Sequence, residues 1–261
     1  MNSLIETIFF SEKRKAVLIL LFEKGPLPID TIKSELDETS VSILPQIKIL
    51  VDNNLIIQYD GIYQLTHLGE MVAEKVSPFI KNLQVLGANP KYWSEHDTSG
   101  IPKNLLSRIQ EIGEYEIIEV DLRTIYYEPN PKIWEYIKSA QSIKTFITYY
   151  APEYVSVYYG RLMEEAPVSI TTSNYIIDMA KDYKAEINQL LQLDRAELNV
   201  CSADVKIAEV TVTDRVLLMV LYSTAGNLDY NFLKAESPSA VQWGNELYDY
   251  LRSQSVNKKE I

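Results

Sequence analysis

TSVSILPQIKILVDNNLIIQYDGIYQLT, residues 39–66, has the form of one amphipathic helix followed by a two-stranded hairpin. The hairpin is the more explicit half. Asp60-Gly61 supplies the positive φ angles of a tight two-residue turn, between strands rich in Ile, Leu and Tyr. In the helical half, Leu44, Ile47 and Val51 make an apolar stripe, and Ser42, Gln46 and Lys48 fall off it. Pro45 constrains the start of this helix, because proline lacks the N–H that bonds four residues back and sits best in a first turn. Capping by Ser42 puts Pro45 at the third helical position, whereas a cap at Thr39 or Ser40 strains the helix.

Working outward, SEKRKAVLILLFEKGP (11–26) predicts a helix with Ser11 as N-cap, an apolar stripe at Val17, Leu20 and Leu21, and a stop at Gly25-Pro26. PIDTIKSELD (28–37) repeats the pattern with Ile29, Ile32 and Leu36. Thr66 caps a fourth helix carrying Leu68, Val72, Val76, Ile80 and Leu83, which Pro78 should kink or divide. Three short helices and a hairpin, in that order, predict a winged helix-turn-helix.

A winged helix has two possible uses, DNA binding or protein interaction. Small polar side chains at the start of the third helix favour DNA. Thr39, Ser40, Ser42 and Gln46 can donate to phosphates and base edges, with Gln suited to adenine. Lys13, Arg14 and Lys15 lie where first helices approach the backbone, and Lys48 adds a cation. The turn residues Tyr59, Asp60, Gly61 and Tyr63 form the wing. The expected contact set is therefore Lys13, Arg14, Lys15, Thr39, Ser40, Ser42, Gln46, Lys48, Tyr59, Asp60, Gly61 and Tyr63.

Charge argues the other way. The 261 residues carry a formal net charge of −11, and residues 1–90 hold 8 Lys+Arg against 11 Asp+Glu. Such a chain repels phosphate at long range, so contact must come from a local patch. A homodimer presents about eight cations from Lys13–Lys15 and Lys48, which sets a ceiling near −7 on the salt slope. Seven residues, Ala16 to Phe22, form the longest apolar run, too short to span a membrane, and Glu6 stands where a signal peptide would be positive. One cysteine and two histidines leave no metal cluster in view, and a cytoplasmic protein without cofactor or metal is expected.

The sequence divides into a winged-helix domain with its dimerisation helix (1–88), a helical linker (89–114), an α/β sensor or dimerisation domain (115–254) and a flexible tail (255–261). Trp93 and His96 lie three apart in the linker, where a packed interdomain joint is the expected role. Beyond residue 114, strand and helix patterns alternate. Strands are predicted at 115–121, 142–150, 167–173, 196–204, 205–214 and 215–223, and helices at 131–141, 152–166, 174–193 and 237–254. That order predicts an α/β domain with a largely parallel sheet extended by a hairpin. There is no glycine-rich phosphate loop and no GxSxG elbow, so no catalytic residue is assigned. Tyrosines crowd two strand ends instead. Tyr149, Tyr150, Tyr158, Thr171, Thr172 and Ser173 are the expected rim of an effector pocket with hydroxyl donors, or alternatively part of a dimer surface.

The segments SEKRKAVLILLFEKGPLPIDTIKSEL, SILPQIKIL, YQLTHLGEMVAEKV, YWSEHDTSGIPKNLLSRI, AEVTVTDR and SAVQWGNELYDYLRS carry a resemblance that covers almost the whole chain. It resembles the archaeal winged-helix, ArsR-like regulators with the methanogenesis-regulator "filament" middle domain, the Msr regulators of methanogens among them. The resemblance implies a dimeric cytoplasmic transcription regulator that binds operator DNA and controls methanogenesis or methyl-transfer genes. The second domain also resembles a phospholipase-D-like half in pattern. Aligning Asp214 with the last residue of H-x-K-x4-D puts Ile207 at the His position and Glu209 at the Lys position, so the catalytic pair is missing. A protein-interaction module whose winged helix no longer binds DNA is the alternative.

Overall fold

The computed structural model describes residues 3–120, 131–150, 152–201 and 205–261. The chain forms two compact units, Met1–Leu83 and Gln84–Ile261.

In the first unit, α1 (Leu4–Phe9) precedes the expected elements. Its capping box, Ser3 with Glu6, pairs two otherwise orphaned backbone donors. Helix α2 (Glu12–Lys24) is capped by the Ser11 hydroxyl and stops at Gly25 with φ +78°. Strand β1 (Leu27–Pro28), α3 (Ile29–Leu36), α4 (Ser40–Asp52), β2 (Ile56–Tyr59), β3 (Ile62–Leu65) and α5 (His67–Ala88) follow. The three strands form one antiparallel sheet in the order β1-β3-β2. Asp60 and Gly61 turn the hairpin at φ +50° and +80°. Thr66 closes the junction to α5, its hydroxyl accepting from the Gly69 N–H at 2.9 Å and donating to Asn54 O at 2.6 Å. Gly69 is required here, since a Cβ would lie 2.0 Å from the Leu55 carbonyl oxygen. The core joins Val17, Leu18 and Leu21 of α2 to Ile32, Ile43, Ile47, Leu50, Leu55 and Ile56.

Three expectations for this unit are corrected. Helix α4 starts at Ser40 with Thr39 as its cap, not at Ser42, which makes Pro45 the sixth helical residue. Pro45 is exposed, and losing one main-chain bond beside water costs less than unwinding the preceding turn. The buried stripe is Ile43, Ile47 and Leu50 rather than Leu44, Ile47 and Val51. Pro78 does not divide α5, which is one 22-residue helix.

The second unit begins with α6 (Pro90–Glu95), α7 (Lys103–Leu106) and a 3-10 turn (Ile109–Ile112). These are no linker. Tyr92, Ile101, Leu105, Ile109 and Ile112 are buried in one core with α12 (Pro238–Ser253), and the Trp243 indole donates to Leu105 O at 3.0 Å. His96 is likewise no interdomain joint. It is buried inside this unit, stacked on Tyr92, with Nε2 2.7 Å from Asp229 Oδ2.

An eight-stranded sheet organises the rest. Its strands are β4 (Tyr115–Ile118), β5 (Ile143–Ile147), β6 (Val168–Ser173), β7 (Ala196–Cys201), β8 (Ile207–Thr213), β9 (Leu217–Leu221), β10 (Phe232–Ala235) and β11 (Ser255–Lys258). They lie in the order β11-β7-β6-β5-β8-β9-β10-β4. Only β5, β6 and β7 are mutually parallel; every other pairing is antiparallel, against the expectation of a largely parallel sheet. Helical crossovers join β5 to β6 through α9 (Pro152–Met163) and β6 to β7 through α10 (Asn174–Met179) and α11 (Lys184–Leu190). Such crossovers are what parallel neighbours need, and the hairpin from β8 to β9 has none. The single helix expected over 174–193 is instead two, separated by a 3-10 turn at Lys181–Tyr183. Residues 255–261 are no flexible tail: β11 pairs with β7, and the Ile261 N–H donates to Asn188 Oδ1 at 2.8 Å. Asp121 and residues 202–204, at the ends of two predicted strands, lie outside the described residues. Side chains of α12, α7 and the 3-10 turn cover one face of the sheet, and those of α8 (Pro131–Lys138) and α9 cover the other.

Candidate nucleic-acid interface and ligand cavity

The expected DNA-contact residues are only partly brought together on the surface. Along α4 the exposed positions are Val41, Leu44, Pro45, Lys48 and the acidic Asp52, with Val41 88 % exposed. Ser42 and Gln46 turn toward α2. The Gln46 carbonyl oxygen accepts from Arg14 Nη1 at 2.9 Å and from the Ser11 hydroxyl at 3.2 Å. An adenine is read by both ends of a Gln amide, so this geometry withholds the acceptor half. Lys13 donates to Ser42 Oγ and pairs with Glu38 at 2.8 Å. That contact, with Ser42, holds the Glu38 carboxyl below its usual range. Arg14 also donates to the Thr7 and Glu6 carbonyls, tying α1 to α2. Lys15 pairs with Glu12 at 2.5 Å. Thr39 is the helix cap, and Ser40 accepts from Lys33 Nζ at 3.2 Å.

The wing fares better. Tyr59, Asp60 and Gly61 are exposed at its tip, Tyr59 at 78 %. Tyr63 is the exception. At 7 % exposure it packs in the core of the unit, on the face of β3 opposite its neighbours Ile62 and Gln64. Val41, Leu44 and Pro45 were absent from the expected set. The alternative stripe at Ile43, Ile47 and Leu50, equally helical in spacing, was the signal that would have found them.

In the second unit a cavity of about 120 Å³ lies among β5–β7, α9, α10 and α11. Tyr149, Tyr150, Tyr158 and Thr172 of the expected rim line it. Thr171 and Ser173 do not. Thr171 donates to the Tyr248 hydroxyl at 3.1 Å, and Ser173 caps α10. The remaining walls are mostly aliphatic, including Ile147, Leu162, Val168, Ile170 and Ile176, with Tyr154, Tyr159 and Glu197 beside them.

Two of the four expected residues lining it, Tyr149 and Thr172, have their hydroxyls engaged elsewhere, whereas the buried Tyr158 hydroxyl has no hydrogen-bond partner. Thr172 donates to Ile147 O at 2.8 Å. The Tyr149 and Tyr154 hydroxyls both donate to the carboxylate of Glu209, Tyr154 at 2.9 Å. Thr211 adds a third donor at 2.7 Å and itself contacts the Thr145 hydroxyl at 2.8 Å. A bulge in β8 between Ile207 and Glu209 accompanies this side chain, which is fully buried. Burial pushes the Glu209 carboxyl above the usual carboxylate range, against the three hydroxyl bonds that lower it. Burial and the neighbouring carboxylate likewise push the Tyr149 and Tyr154 phenols well up, so both remain donors. Trp134 and Tyr158 pack on Tyr154, with ring centroids at 4.8 and 5.4 Å.

Among the described residues there is no group of three or more His, Cys, Asp or Glu able to hold a metal, and no helix long and apolar enough to cross a membrane. Taken together, the molecule is a winged helix joined to an α/β unit with a small, largely apolar cavity. Residues 2–84 match the family model "Methanogenesis regulatory protein FilR1, N-terminal domain". Residues 126–254 match "Methanogenesis regulatory protein FilR1, middle domain". Two domain models of one family, in order along the chain, support membership of the FilR1 family. A curated relative, the methanogenesis regulatory protein FilR1 of Methanothrix harundinacea (strain 6Ac), is 24% identical over 257 residues. That alignment takes in 95% of this chain and 56% of the relative, so the chain spans little more than half its length. Among solved structures, TrmBL2, described as an archaeal chromatin protein, is 11% identical, with a TM-score of 0.41 over 97% of this chain and 99% of that one. Nuc from Salmonella typhimurium, a phospholipase D family member, is 13% identical, with a TM-score of 0.42 over 56% of this chain and 99% of that one.

Proposed function

We propose that the chain is a DNA-binding transcription regulator. It acts as a homodimer, and its second unit senses a small molecule in the control of methanogenesis or methyl transfer. The observation that carries the reading is the winged helix itself, matched by the FilR1 N-terminal model, with the outer face of α4 and the wing tip both open to solvent. In this reading α4 enters the major groove, Lys48 meets phosphate or a base edge, and the Asp60-Gly61 wing follows the adjacent backbone. The apolar outer face, Val41 with Leu44 and Pro45, suits thymine methyl groups. Gln46 takes part only after exchanging its bonds to Arg14 and Ser11.

Self-association is supported by exposed apolar side chains of the first unit. Leu68, Met71, Phe79 and Leu83 recur along α5, and Ile5 and Phe10 are exposed at α1. A dimer joined there doubles every cation of the unit. Because Lys13, Arg14 and Lys15 are already engaged, the salt slope should fall well short of −7, to about −2 where only the two copies of Lys48 meet phosphate. The acidic balance favours a second reading, a protein-interaction module.

Fluorescence anisotropy with DNA from upstream of the chain's own gene, against a scrambled duplex, separates the two. Salt is stepped from about 50 to about 300 mM. Preference for the native duplex, weakened by Val41→Asp and by Lys48→Ala, supports the regulator. Absence of binding to either duplex and to a randomised operator pool at the lowest salt favours the interaction module.

A further inference from the structure

The cavity of the second unit has a definite size and an unexpected chemistry. Its volume of about 120 Å³ is well below the roughly 300–1,000 Å³ of pockets that hold drug-sized ligands. It is close to apolar cavities of about 150 Å³ that stay dry and admit benzene or xenon. A water molecule in such a place needs two to four polar partners. Most polar side chains here have theirs already, the exception being Tyr158, whose buried hydroxyl has no hydrogen-bond partner. Tyr149 and Tyr154 donate to Glu209, Thr172 to the Ile147 carbonyl, and Glu197 accepts from Ser169 and Arg252. What Tyr149 and Tyr154 offer to the space is therefore ring carbon, beside Val155, Leu162, Val168 and Ile170.

We infer that this cavity binds a small, uncharged, apolar molecule of about six heavy atoms. Glu209 is the positioning residue that makes it apolar, by drawing two phenol hydroxyls out of the ligand's space. The lining is almost wholly hydrocarbon, and its one carboxylate, Glu197, is already paired with Arg252, so a cationic ligand finds no free counter-charge there. The inference names the ligand class of the proposed sensing unit, and for its biological role it rests on that reading.

Benzene is the probe, added to the full chain carrying ¹³C-labelled Ile methyl groups. The expected result is saturable shift changes at Ile147, Ile170, Ile176, Ile177 and Ile187, which line the cavity, and none at Ile32, Ile43 and Ile47 of the winged helix. Ala180→Phe and Val155→Phe, each introducing a ring into the cavity wall, should weaken the apparent Kd at least about tenfold. Two variants at separate wall positions keep the test intact if one fails to fold. Methylammonium, of opposite character, should leave the cavity methyls unmoved. Absence of saturable shifts with benzene, equal shifts in both units, or unchanged affinity in the folded filled variant overturns the inference. The sensing reading fails separately, if operator affinity is indifferent to every bound ligand and to filling of the cavity.

Discussion

Two polar clusters, one in each unit, solve the same problem in opposite ways. Between α2 and α4, Lys13, Arg14, Ser42 and Gln46 form a half-buried cluster whose charges meet Glu38 and backbone carbonyls near water. Between β8 and α9, the carboxylate of Glu209 is wholly buried and held by three neutral hydroxyls. The first is cheap to rearrange, because water and salt stand ready to replace each partner. The second is expensive, because any hydroxyl or carboxylate left alone keeps its full desolvation penalty. A surface that must exchange its bonds for DNA is built in the first manner, and a wall that must keep its shape in the second.

The sharpest way to break this comparison is Glu209→Ala. It leaves the Tyr149, Tyr154 and Thr211 hydroxyls without their acceptor and should destabilise the second unit by about 3 kcal/mol or more. Urea denaturation followed by tryptophan fluorescence reads this directly, since Trp93, Trp134 and Trp243 all belong to that unit. A loss below about 1 kcal/mol would mean the cluster is not tightly coupled.

Glu209→Gln tests the charge alone. Because the folded carboxyl titrates above the ordinary Glu value of 4.5, the folded state keeps a proton that the unfolded chain has released. Glu209 therefore lowers stability progressively as pH rises from that ordinary value through the raised one. The Gln variant lacks this slope, so its stability relative to the parent should climb with pH over the same window. A difference independent of pH would place the charge in contact with water.

Arg14→Ala should cost the first unit about 1–2 kcal/mol, through lost charge-assisted bonds to Thr7, Glu6 and Gln46. The effect should appear as faster amide exchange in α1, with tryptophan fluorescence unchanged. Smallest of all is Lys13→Ala. Its pair with Glu38 is partly exposed, and any effect on stability should vanish in about 0.5 M salt.

What was legible in the sequence was what local chemistry decides. Ser11 as a cap, Gly25 as a stop, the Asp60-Gly61 turn and Thr66 before α5 each rest on residues within one turn of the feature. The phase of α4 did not yield in the same way, because two apolar stripes share Ile47 and local spacing cannot choose between them. Packing against α2 chooses Ile43 and Leu50, and thereby turns Gln46 inward and Val41 outward. The capping box at Ser3 and Glu6 was there to be read, yet α1 has only six residues. For the cavity, four of six expected residues line it, but its character depends on Glu209, some sixty residues along the chain from Tyr149. No pattern at Tyr149 tells whether its hydroxyl faces a ligand or a buried acid. Strands β10 and β11, four residues each, exist because neighbours offer unpaired edges to them.

Strand β11 has a consequence for how the protein behaves in a crowded solution. It covers the edge of β7, whose Leu198, Val200 and Cys201 are otherwise a ready template for a strand from another molecule. Until β11 docks, that edge stays unpaired. Lys258 and Lys259 then leave a charged rim that discourages further pairing. Removing residues 255–261 should release the Ile261 bond to Asn188 of α11 and open the β7 edge to strands from other copies, a change that light scattering would read as polymerisation.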